Sequence, residues 1–153
     1  QKNQVNDSWV DFFRTQRLLP RLELTKSYFT PDDRRRARHL LDHLEDYFVE
    51  PEYPSLLHGD LWCGNVMLGS DGEAVLIDPA VCVGNREFDI ALTRLFGGFE
   101  PEFYDAYSEA APLAAGFGER LDLYNLYHLL NHLHLFGRAY LGAVTRIIRH
   151  YAG

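Results

Sequence analysis

Residues 55–68 read "SLLHGDLWCGNVML". A His, an Asp, a Cys and an Asn fall within the eight positions from His58 to Asn65, with apolar residues on each side. Folding alone does not ask for polar groups set so tightly between apolar runs. If they do chemistry, partners must lie elsewhere in the chain.

Downstream, the texture is that of a small β patch. The short apolar runs Leu56–Leu57, Val66–Leu68 and Ala74–Ile77 alternate with turn chemistry, and "GSDGE" at 69–73 reads as a hairpin connection. Upstream, "DSWVDFFRTQRL" at 7–18 places Trp9, Val10, Phe13 and Arg17 at helical spacing, with Asp7 or Ser8 as N-cap. "TPDDRRRARHLLDHLEDYF" follows. Thr30 can cap it, Pro31 suits the first helical position, and Asp32 and Asp33 favour the positive end of the helix dipole. Ala37, Leu40, Leu41, Leu44 and Phe48 then recur every three or four residues, the stripe of an amphipathic helix. From Glu87 the pattern is helical to the end, over 87–96, 101–110 and 119–150, the last broken near Gly137. The expected fold is mainly α with a small β hairpin patch.

A folded-back hairpin returns its far end to its start. Asn65 then meets Asp78, which ends an apolar strand in "VLIDPA", and both lie beside Asp60. Two carboxylates and an amide oxygen make a hard, all-oxygen site suited to Mg²⁺ shared with substrate phosphates. Asp60 is left to accept the proton of an attacking hydroxyl. Protein-kinase-type phosphoryl transfer divides the labour in this way, and its catalysis is mostly positioning and charge neutralisation. Each element alone is weak, since Asp and Gly are ordinary turn residues. The ordered set is not.

With "HGDLWCGN" at 58–65, "IDPAVCVGNREFDIA" at 77–91, "LTRLFGGF" at 92–99 and "LYNLYHLLNHLHLFGRAYL" at 123–141, the chain resembles the fructosamine or ketosamine kinases. These are kinase-like phosphotransferases of small molecules, and the likeness covers nearly the whole chain. It implies the C-terminal lobe of a protein-kinase-like, aminoglycoside phosphotransferase-like α+β fold. It also implies ATP-dependent phosphorylation of a ketosamine, at the 3-hydroxyl, in the service of deglycation. Asp60 would be the base, Asn65 and Asp78 would hold Mg²⁺ on ATP, His58 would brace the loop and Asp89 would tie down its backbone. Trp62 would stack on a sugar ring or fill the lobe as a core aromatic; His132 would line the ketosamine pocket. Where the family carries aromatic residues after "DPA", this chain has Cys82 and Val83, which leaves the local substrate contacts open. Cys63 is either an oxidisable loop thiol or a small buried hydrophobe. His128, His132 and His134 resemble a metal cluster, but no Glu completes a metalloprotease motif, and a packed helix edge reads better.

Other classes are poorly supported. The net charge is −7, and the one dense basic run, Arg34 to Arg38, is followed by Asp42, Glu45 and Asp46, as on a solvated helix face, so nucleic acid is not an expected partner. No apolar run reaches the roughly 18 residues of a membrane span, and no signal peptide precedes the fold, although the chain opens on Gln1. Two cysteines without a framework suit a reducing, cytoplasmic compartment.

One requirement goes unmet. Kinase-like folds hold ATP under a smaller lobe that supplies a Gly-rich loop and a Lys. Here Lys2 and Lys26 are the only lysines, and there is no G-x-G-x-x-G. The expectation is therefore a single-domain C-terminal lobe over 1–153. The N-terminal, nucleotide-covering lobe would come in cis or from a partner chain, and the isolated chain would be severely impaired. Two alternatives stand: another kinase of the aminoglycoside, homoserine or choline group, or a non-catalytic lobe that at most binds Mg²⁺ or a sugar.

Overall fold

The structure, a computed structural model, describes residues 3–153; Lys2 lies outside them. In chain order the elements are α1 (Trp9–Phe12), a π-helical stretch (Phe13–Leu18), α2 (Leu19–Thr25) and α3 (Pro31–Asp42). The strands β1 (Ser55–Leu57), β2 (Val66–Leu68), β3 (Ala74–Leu76) and β4 (Cys82–Gly84) follow. Then come α4 (Glu87–Leu95), α5 (Pro101–Ala110), α6 (Phe117–Phe136) and α7 (Leu141–Ala152). Residues up to Pro51 together with Asn125–Gly153 make one compact unit, and Glu52–Tyr124 the other.

In the first unit, the Ser8 hydroxyl caps α1 by accepting from the Asp11 amide. Glu50 adds an anion at the same helix end, accepting from the Trp9 and Val10 amides at 2.8 and 3.1 Å. Burial works to raise the Glu50 carboxyl, but the Ser8 hydroxyl and these two amides outweigh it and hold it below the usual range. The helix expected to end at 18 instead continues to Thr25. Pro20 explains how. It has no N–H to give the Gln16 carbonyl, so the ladder widens into a π stretch just before it. The Arg17 Nη1 donates to that carbonyl at 3.3 Å. Arg17 is fully buried, its guanidinium 4.6 Å from the Phe12 ring centre and its Nη2 donating to Asn3 Oδ1 at 2.8 Å.

The Thr30 hydroxyl accepts from the Asp33 amide and the Asp33 carboxylate from the Thr30 amide, a complete capping box with Pro31 at the first helical position. The regular helix stops at Asp42, earlier than the apolar stripe suggested. A 3₁₀ turn over Leu44–Asp46 nevertheless keeps Leu44 and Phe48 buried. α3 packs on α7, whose Val144, Ile147, Ile148 and Tyr151 form the buried stripe, and Arg149 donates to Asp33 at 2.8 Å. Gly137, at φ 79°, is the break between α6 and α7.

In the second unit, β2 and β3 form the expected hairpin, pairing Val66 with Leu76 and Leu68 with Ala74. β1 does not join them. It pairs antiparallel with β4, a strand the apolar runs did not announce, setting Leu57 opposite Cys82. Leu57 and Cys82 face the core, whereas their neighbours Leu56 and Val83 are exposed. The hairpin leaves Met67, Leu68, Val75 and Leu76 exposed on its two three-residue strands. The unit's core is built by α4 and the start of α6, around Phe88, Leu92, Leu123 and Tyr124. Glu87 and Arg120 form a buried bidentate pair at 2.6 and 2.9 Å, and the Arg120 Nη1 also donates to the Ala115 carbonyl. Among the described residues, no helix is long and apolar enough to cross a membrane.

Candidate active site

The stretch from His58 to Asn65 is a loop between β1 and β2, closed by a 3₁₀ turn at Cys63–Asn65. Gly59 turns at φ 78°, and a Cβ there would stand 2.0 Å from the Ala80 carbonyl oxygen, so glycine is the only residue the loop accepts. Asp89, in the first turn of α4, is buried and holds the loop from beneath. One carboxylate oxygen accepts the His58 amide at 2.7 Å and the other the Gly59 amide at 2.8 Å. Burial pushes this carboxyl above the usual carboxylate range, and the nearby Asp60 adds to the rise, while the two amides pull against it.

His58 ties the loop to the segment that follows β3. The Asp60 amide can only donate, so the His58 Nδ1 accepts it at 3.3 Å, and the Nε2 carries the proton offered to the Ile77 carbonyl at 2.9 Å. Asn65 is buried, and its amide nitrogen donates to the Asp60 carbonyl at 2.8 Å and to the Asp60 carboxylate at 3.2 Å. With the nitrogen so engaged, the amide oxygen is left as a hard acceptor. The Asn65 carbonyl takes the Ile77 amide at 3.0 Å, so Asp78 follows one residue after a direct backbone tie to Asn65. Asp78 is exposed and sits at φ 50°, the left-handed region that Asp enters more readily than most side chains. Asp60, half-buried, is thus fixed by backbone and amide contacts, with Asn65 bonded to it and Asp78 one residue beyond the backbone bond between Asn65 and Ile77.

The donor chemistry fits a magnesium ion that keeps waters and phosphate oxygens for its remaining positions: an amide oxygen and a carboxylate, with no soft ligand. Among the described residues no group of three or more His, Cys, Asp or Glu side chains is arranged to hold a metal alone.

Trp62 is 38% exposed and so is not a core aromatic. Its ring lies over Gly64, where a Cβ would meet ring atoms at 2.3 Å. Cys63 is half-buried and Cys82 buried. His132 belongs to the first unit, where its Nδ1 pairs with the His128 carbonyl at 2.8 Å and its ring packs on Phe136 and Tyr140. The carbonyls of Ile77 and Ala80 and the conformation of Gly59 escaped the sequence reading. Of these only Gly59 had a visible signal, a glycine flanked by two polar residues.

The chain matches the fructosamine kinase family over residues 1–152. A "Probable ketoamine kinase" of Lactiplantibacillus plantarum is 44% identical over 97% of this chain and 54% of its own length. The mouse protein named ketosamine-3-kinase is 40% identical over 95% of this chain and 48% of its own length. The crystal structure of a Thermobifida fusca protein provisionally assigned as a fructosamine-3-kinase superposes with a TM-score of 0.89 at 41% identity, covering 98% of this chain and 53% of that one. The chain spans about half the length of the curated relatives it matches. With a family match over residues 1–152, this chain belongs to the fructosamine kinase family.

Proposed function

We propose that the chain is the C-terminal catalytic lobe of a protein-kinase-like enzyme that transfers phosphate from ATP to a ketosamine, at its 3-hydroxyl. The observation that carries this reading is the Asp60–Asn65 contact. The 3.2 Å bond from the Asn65 Nδ2 aims the Asp60 carboxylate without neutralising it, and turns the amide oxygen away for a cation.

Asp60 is the base that takes the proton of the attacking hydroxyl. Asn65 and Asp78 would hold a magnesium ion, which would supply charge neutralisation at the phosphates. His58, tied to the Ile77 carbonyl and to the Asp60 amide, braces the loop against the backbone that leads into Asp78. Asp89 is a positioning residue, spending both carboxylate oxygens on the loop backbone. Trp62, part-exposed two residues from the base, offers its ring to the sugar. His132 as a pocket-lining residue gains no support from its contacts with the His128 carbonyl, Phe136 and Tyr140. A nucleotide-covering lobe, in cis or from a partner chain, is required for full activity, and the isolated chain turns over poorly.

The test is phosphate transfer from ATP to fructosyl-lysine with Mg²⁺. It compares this chain, the gene product extended upstream of Gln1, and the extended product carrying Asp60→Asn. Transfer by the extended product should fall at least about a hundredfold with Asp60→Asn, the usual worth of a general base. Ordinary turnover by the chain alone, or an Asp60→Asn variant with undiminished kcat, would overturn the assignment.

A further inference from the structure

Phe96 caps the C-terminus of α4 and is followed by Gly97 at φ 70° and Gly98 at φ 92°. A Cβ on Gly98 would stand 2.5 Å from the Cys63 Cβ and 2.6 Å from its Sγ. The turn after α4 is therefore pressed onto the loop that carries Asp60 and Trp62, and only glycine permits the approach. This contact sets Phe96 against Trp62, with ring centres 6.3 Å apart and planes inclined at 74°. Phe96 is 41% exposed and Trp62 38%, so the two rings form an aromatic corner with both walls reaching solvent.

Two features beyond the rings give this corner a preference for positive charge. It sits at the carbonyl end of a nine-residue helix, where the peptide dipoles leave partial negative charge. Asp60 stands two residues before Trp62, and the Trp62 amide donates to the Asp60 carbonyl at 3.2 Å. Arg94, the basic residue of the last turn of α4, has its guanidinium 4.3 Å from the Tyr104 ring centre, on a different aromatic. A cation from outside would find an aromatic face at the carbonyl end of a helix, on the loop that carries the Asp60 carboxylate two residues from Trp62.

A ketosamine supplies such a cation. Its secondary amine, protonated at neutral pH, is carried on C1, and only C1, C2 and C3 separate it from the 3-hydroxyl oxygen. A base that reaches that hydroxyl must have the ammonium close by. We propose that Phe96 is the specificity-determining residue for the amine: the sugar packs its C–H face on Trp62, and the substrate ammonium packs on the Phe96 ring at the carbonyl end of α4. Phe96 thereby separates a ketosamine from a free ketose. The inference rests on the ketosamine kinase reading and adds a residue to it.

The test measures kcat/KM for the extended gene product with three probes: a fructosyl-alkylamine, its N-acylated and therefore uncharged analogue, and fructose. Phe96→Leu keeps an apolar side chain at a part-exposed position but removes the aromatic face; Phe96→Tyr retains it. The preference for the charged amine over both neutral probes should fall roughly threefold to tenfold in Phe96→Leu, the worth of one cation on an aromatic face. Phe96→Tyr should keep it. The change should appear in KM for the amine, with kcat/KM for fructose falling by less than that for the amine. Equal losses for all three probes in Phe96→Leu, or no loss, would sink the inference while leaving the kinase reading intact. Absence of transfer to every ketosamine by the unsubstituted protein would sink both.

Discussion

Asp89 and His128 are both buried, and their titrations oppose each other. Burial pushes the His128 imidazole down to about 3, and the charges of His132 and Arg17 add to the shift. In the unfolded chain the ring regains its ordinary value of 6.5, so between these values the unfolded state binds a proton that the folded state refuses. Stability therefore drops as pH falls below the ordinary value, by about 1.4 kcal/mol per pH unit for this one group. Asp33 and Glu50 act in the same sense at lower pH, since both carboxyls are held below their ordinary range when folded. Asp89 acts in the other sense. Its carboxyl is raised on folding, so its contribution is fullest at low pH and is lost as pH rises through the raised value. The chain should be measurably less stable to urea at pH 4.5 than at pH 7. His128→Leu should flatten that dependence by about one proton's worth; parallel curves for the two proteins would contradict the assignment.

At the scale of elements, local chemistry was legible wherever a single residue type has a single use. Thr30, Pro31 and Asp33 announced the start of α3, and the structure contains the full capping box. Thr30→Ala should cost about 1 kcal/mol in thermal or urea unfolding, as loss of an N-cap generally does. A loss under a few tenths would show that Asp33 and Pro31 hold the helix start unaided. What the sequence concealed was non-local. Nothing in "VCVGN" says that Cys82–Gly84 pairs with a strand lying some twenty-five residues earlier, because three-residue strands carry too little alternation to declare themselves. Nor does "RTQRLLPRL" reveal that Pro20 leaves a carbonyl for Arg17 instead of ending the helix. The candidate site stood between these extremes. Asp60, Asn65 and Asp78 stood out by their spacing and His58 by the family resemblance, whereas Phe96 was visible only as one aromatic of the "LTRLFGGF" run. Its meeting with Trp62 depends on Gly98, and a contact between two loops leaves no periodicity behind.

For the molecule as a whole, the β2–β3 hairpin has a consequence for how the chain behaves in solution. Both of its strands are edge strands, and Met67, Leu68, Val75 and Leu76 bring apolar side chains to the surface on them. An edge with unpaired backbone groups and little charge is a template for another copy of itself. As a separate polypeptide, this chain should self-associate as its concentration rises, with the hairpin as nucleus. Met67→Lys puts a charge on an exposed position of that edge, where substitutions ordinarily change stability by less than about 0.5 kcal/mol. Light scattering against concentration should show a raised threshold for Met67→Lys with an unchanged unfolding midpoint, and an unmoved threshold would place the contact elsewhere. The strand that begins one residue after Asn65 thus makes the chain's shelf life depend on dilution, so every activity or binding measurement on it needs a concentration series.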